Sequence, residues 1–210
     1  MKHRKNLMTY KNLNIIQNFM QYVMNSDTEE FARGILFCFG APTIQGIKAS
    51  CLINFRRHSH EDMRSIWKAK ADEWLNPLGV QWLLLNDNGE NISNALVLIY
   101  RRELLERALS CNEACEILKI RGYPLNDVEG CLDCLCRKFC EGFPHEIGLF
   151  LDYPPYDVLC FMENRKCEKC AKLLSRSYWK VYGNVRRAKR AFRKYKRAEY
   201  DAARLMLMGE

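Results

Sequence analysis

The chain is 210 residues long, 48% hydrophobic and 28% charged, enough apolar material for one packed core in an ordinary globular domain. Its net charge is +8, and no run approaches the roughly 18 consecutive apolar residues of a membrane helix. The first apolar stretch, "LNIIQNFMQYVM", is interrupted by Asn14, Gln17, Asn18 and Gln21 and makes a poor signal-peptide core, so no signal peptide is expected. A cytoplasmic protein with no membrane partner is the expectation.

Leu13, Ile16, Met20 and Val23 fall at helical spacing and predict a first amphipathic helix. "SDTEEFARGILF" predicts a second, with Ser26 or Asp27 as cap and acids in its first turn. "GAPTIQGIK" holds two glycines and a proline and reads as a loop. A strand over "IKASCLINF" and a helix over "SHEDMRSIWKAKADEWL", capped by Ser59, follow. In "VQWLLLNDNGENISNALVLIY" two apolar runs flank Asp87-Asn88-Gly89, the signature of an antiparallel hairpin. Everything after Tyr100 has helical character. The expected fold is α+β: a small three-stranded antiparallel sheet with helices in the N-terminal half, then an all-helical half. Residues 1–182 are expected to form one domain, with 183–210 a basic amphipathic helix docked on it.

The helical half contains a repeat over 111–172. Displaced by thirty residues, "EILKIRGYPLNDV" (116–128) lies over "EIGLFLDYPPYDV" (146–158), with six of thirteen positions identical. Each copy reads as a helix, a break at Tyr-Pro and a second helix. Pro124 and Pro154 are expected in a first turn, where a missing N–H does no harm. Asp127 and Asp157 are expected near the positive end of the same helix, with Tyr123 and Tyr153 packed in the corner. Two copies fall short of the three or more that make a solenoid.

Only the second copy is headed by Pro144-His145-Glu146. Pro144 suits a helix start and Glu146 a capping carboxylate, which would leave His145 where the helix dipole favours neutral imidazole. Such a His serves as a base or a ligand; alternatively it hydrogen-bonds a neighbouring loop. The run "FPHEIGLFLDYPPYDV", with "APTIQGIKASCLINF" upstream and "YWKVYGNVRRAKRAFRKYK" downstream, resembles an uncharacterised family, a domain of unknown function of clostridial-type Firmicutes. The resemblance covers about Phe37 to Lys196 and carries the pattern PHEIGxFLxYPxxDV. It implies a small cytoplasmic bacterial protein with recurring polar residues at Thr43, Lys48, His145, Glu146, Asp157, Lys180 and Tyr182. The cysteines of 131–140 lie outside that pattern.

Eleven cysteines, an odd number without a signal peptide, point to a reducing compartment and to either metal ligands or buried thiols. Cys131-x-x-Cys134 and Cys167-x-x-Cys170 together have zinc or iron–sulfur spacing. On one helix over 126–141, Cys131 and Cys134 share a face while Cys136 and Cys140 project nearly opposite, so these four cannot hold one ion. A site pairing Cys131 and Cys134 with Cys167 and Cys170 stays open. The competing reading is that they are buried thiols, acting as small hydrophobes.

The charge is concentrated at the ends. Residues 1–12 contribute +4 and residues 183–210 contribute +6, leaving −2 for 13–182. In the C-terminal segment Val185, Ala188, Phe192 and Tyr195 make an apolar stripe. Arg186, Arg187, Lys189, Arg190, Arg193, Lys194, Lys196 and Arg197 crowd the remaining faces and suit an anionic partner or nucleic acid, with Tyr178, Trp179 and Tyr182 nearby as stacking groups. Solvation of a docked helix explains the same charges. There is no Gly-rich phosphate loop, His-Glu-x-x-His or Gly-x-Ser-x-Gly elbow. An accessory or binding protein with an anionic ligand is therefore expected. The alternatives are an enzyme using His145 and Glu146 with Lys48 and Thr43, or a metal or redox accessory protein.

Overall fold

Val97 and Ile99 point to one side of a central strand, Leu98 and Tyr100 to the other, and all four are buried. A strand covered on both faces reads as a continuous apolar run, which is why "ALVLIY" lacks polar alternation. The computed structural model describes residues 14–56, 58, 61–86, 94–165 and 178–209.

The N-terminal elements are α1 (14–24), α2 (Thr28–Phe39), α3 (Ala41–Ile44), β1 (Ser50–Arg56), α4 (Met63–Leu75), β2 (Gln81–Leu84) and β3 (Asn94–Tyr100). Strand order is β1-β3-β2, antiparallel throughout, with Leu52 opposite Leu98 and Leu83 opposite Leu98. The hairpin is thus formed as the sequence indicates; its Asp87-Asn88-Gly89 turn lies outside the described residues. Asp27 caps α2, accepting from the Glu30 N–H at 2.8 Å. Helix α4 starts later than its sequence suggests, because Asp62 rather than Ser59 is its cap, accepting from the Arg64 N–H at 3.1 Å.

The helical half comprises α5 (Arg102–Leu109), α6 (Asn112–Ile120), α7 (Val128–Glu141), α8 (Ile147–Phe150), α9 (Pro155–Met162) and α10 (Val185–Met208). The sheet separates two cores. On one side Phe55, Val97 and Ile99 meet α1, α2 and α4 around Trp67, joined by Ala203 of α10. On the other, Leu98 and Tyr100 meet α5 to α9 around Leu105, Leu118, Leu135 and Phe150. The Ser50 hydroxyl donates to the Phe150 carbonyl and ties β1 to α8. No helix among the described residues is long and apolar enough to cross a membrane.

The two Tyr-Pro corners share one backbone path up to the tyrosine. In the first, the Gly122 N–H bonds Lys119 O and the Tyr123 N–H bonds Leu118 O, both at 3.0 Å. In the second, the Asp152 N–H bonds Leu149 O at 3.0 Å and the Tyr153 N–H bonds Gly148 O at 2.9 Å. Both are Schellman ends with a left-handed residue, Gly122 at φ +77° and Asp152 at φ +58°. The copies part after the proline. Pro124 stands clear of α7, which starts at Val128, whereas Pro154 caps α9 and Pro155 opens it.

Candidate functional site

The second corner is where the candidate groups gather. Asp127 does what the repeat suggests, capping α7 by accepting from the Gly130 N–H at 2.6 Å. Asp157, only 2% exposed, sits one turn into α9 and is turned away from its own helix end. Its Oδ1 accepts from the backbone N–H groups of Tyr182 (2.9 Å) and Gly183 (2.6 Å), and its Oδ2 from Trp179 Nε1 (2.9 Å). Three donors suffice for a buried carboxylate, and they fix the segment leading into α10. Gly183 permits the approach, since a Cβ there would lie 3.2 Å from Asp157 Oδ1.

Trp179, so held, stacks on Tyr153 with ring centroids 4.9 Å apart and meets Phe192 of α10 edge-on at 4.5 Å. Ala188, Phe192, Tyr195, Ala198 and Ala203 form the buried side of α10, extending the stripe read from the sequence. All eight predicted basic residues of α10 are exposed. Arg187, Arg190 and Lys194 recur at i, i+3 and i+7 and line one wall of a groove of about 510 Å³. Arg107 of α5 lines it from outside α10, and Tyr153, Trp179 and Tyr195 add rings. Asp152 is the carboxylate that lines it. Arg186, Lys189, Arg193, Lys196 and Arg197 are not brought to this groove; Arg197 pairs with Asp201 at 2.6 Å.

Lys48 lies behind the groove rather than in it. It is 4% exposed, with Nζ 5.2 Å from the Tyr153 ring centroid and 5.6 Å from that of Tyr195. Burial lowers its pKa from 10.5, against the pull of Cys51, Asp152 and Glu199 towards the charged form. Glu199 of α10 is shifted upward by burial, opposed by the Tyr178 hydroxyl that donates to it at 2.7 Å. Thr43 is fully buried in α3, which occupies part of the segment expected to be a loop; its carbonyl accepts from Arg101 Nε at 2.9 Å, and its hydroxyl has no partner among the described residues.

His145 is exposed, with its ring edge-on to Phe161 at 5.2 Å. Glu146 takes a different direction from the capping role its position suggests. Helix α8 has four residues and no side-chain cap, and the Glu146 carboxylate is buried, accepting from the Tyr123 hydroxyl at 3.2 Å with Lys138 Nζ at 3.9 Å. It ties the second corner to the first. Thr43, Lys48, His145 and Glu146 thus occupy separate surroundings. Tyr182 is buried under Lys180, whose Nζ stands 5.4 Å from its ring centroid.

Cys131 and Cys134 face the core as the helical geometry requires, their thiols directed at the carbonyls of Pro124 (2.9 Å) and Gly122 (3.8 Å). Burial pushes the Cys131 thiol up to about 11, which disfavours thiolate. Cys167 and Cys170 lie outside the described residues. Among the described residues no three His, Cys, Asp or Glu side chains converge as a metal site.

Arg107 and the cradling of Asp157 by backbone N–H groups escape sequence reasoning, because neither has a local signal. Arg107 is one more charge on an ordinary helix, and Tyr182 and Gly183 contribute through the main chain. No curated protein and no solved structure matches the chain. Residues 36–210 match the family model described as Protein of unknown function (DUF3793), and the chain belongs to that family.

Proposed function

We propose that the protein is a binding protein for a phosphate-bearing polyanion, single-stranded nucleic acid being the ligand class, and that it binds in the groove between α10 and the second Tyr-Pro corner. The observation that supports this most is the gathering of Arg107, Arg187, Arg190 and Lys194 around one concavity, with Asp152 alone in opposition among the described lining residues. Phosphates are drawn by such charge without sequence preference, and the half-buried rings of Tyr153 and Trp179 line the same concavity. The enzyme reading has less behind it, since Glu146 hydrogen-bonds Tyr123 and Lys48 is covered by two tyrosine rings.

The test is fluorescence anisotropy of a labelled oligothymidylate over a series of salt concentrations. Affinity is expected to fall with salt, and Arg190→Ala with Lys194→Ala should flatten the log–log slope by about 1.4, roughly 0.7 for each phosphate no longer neutralised. An unchanged slope and affinity in that double variant would overturn the assignment.

A further inference from the structure

We infer that a second pocket, on the other side of the Tyr153–Trp179 stack, binds a small organic acid with a flat apolar body. The cavity measures about 310 Å³ and is walled by Phe143, Ile147, Leu151 and Phe161. That size lies at the lower end of the roughly 300–1,000 Å³ of small-molecule sites, which pair apolar walls with a few convergent polar groups. The polar groups here are His145 and Lys180, both exposed and both lining the cavity, so they stand where it meets solvent.

Charge selects the ligand. Asp157 also lines the pocket, but its two oxygens are already held by Trp179, Tyr182 and Gly183. Lys180 has no carboxylate partner among the described residues, and its neighbour is the Tyr182 ring. The His145 ring lies edge-on to Phe161 at 5.2 Å, with the Phe143 ring tilted 54° to it at 6.1 Å. An ammonium and an imidazole at the mouth of an aromatic slot suit a carboxylate whose ring packs on the apolar walls that Phe143 and Phe161 contribute. Phe143 is 57% exposed and Phe161 42%, surface that such a ring would cover. The two sites share the Tyr153 and Trp179 rings, but His145 and Lys180 line only this pocket and the four basic residues of the polyanion groove do not reach it.

Isothermal titration with naphthoate and with its neutral counterpart naphthamide tests the inference on the full chain. Naphthoate should bind, and naphthamide should bind at least about tenfold more weakly, the usual scale for removing a charged hydrogen bond. Lys180→Ala should weaken naphthoate about tenfold and His145→Ala measurably, while Phe161→Trp should block the slot. Arg190→Ala, in the other groove, should leave naphthoate binding unchanged. Equal binding of acid and amide, full binding by Lys180→Ala, or no binding of naphthoate would each overturn the inference.

Discussion

Trp179 Nε1 donates to Asp157 Oδ2 at 2.9 Å, so the second copy of a repeated motif holds the following segment where the first copy, through Asp127, holds only its own helix. The difference is measurable. Asp157→Asn replaces an acceptor that serves three N–H groups and should cost about 1–3 kcal/mol in urea unfolding. Asp127→Asn should change little, because Asn caps helices as well as Asp does. Equal losses at the two positions would contradict the distinction.

Gly148 lets α8 and α9 close on each other. A Cβ there would stand 2.8 Å from Val158 Cγ2 and 3.3 Å from Tyr153 Cδ2. Gly148→Ala should therefore destabilise by about 1–3 kcal/mol, the cost of overpacking a filled core. Gly122→Ala meets no atom within 4 Å, so only its φ of +77° resists, at about 1–2 kcal/mol. Thermal unfolding of both variants checks this, and a Gly148→Ala protein as stable as the parent would refute the packing.

Lys48 gives a pH-dependent prediction. Its folded-state pKa lies below 10.5, so between the two values the unfolded chain holds the extra proton and stability rises with pH. Below that window both states are protonated and the cost of burying the ammonium is present in full. Lys48→Met keeps the stem and removes the charge, and should stabilise at pH 7 because burial outweighs the attraction of Cys51, Asp152 and Glu199 for this ammonium. The gain should shrink as pH rises towards 10.5. A loss that stays constant with pH would show that the ammonium contributes net stability.

Much of the fold is legible in the chain because its signals are local. The β3 run and Asp87-Asn88-Gly89 mark the hairpin, and the matching Tyr-Pro segments mark two corners with the same Schellman end. The start of α4 is less so, since Ser59, Glu61 and Asp62 offer competing polar groups within four positions. The candidate site is only half legible. The basic stripe of α10 is a 3.6-residue pattern, but which of its charges face a groove depends on where α5 and the second corner pack. Glu146 has the sequence of a capping residue and the environment of a core one, because α8 is too short to need it. Asp157 has no visible partner in sequence, since two of its donors are backbone N–H groups some 25 residues on.

Paired charge reversals on α10 test the groove most directly. Arg190 lines it and Arg193 does not, while both are exposed on the same helix and each reversal to Glu changes the net charge equally. In oligothymidylate anisotropy at fixed salt, Arg190→Glu should abolish most of the binding and Arg193→Glu should reduce it only slightly. Equal losses would mean that the overall charge of the helix attracts the ligand and that the groove is not its site.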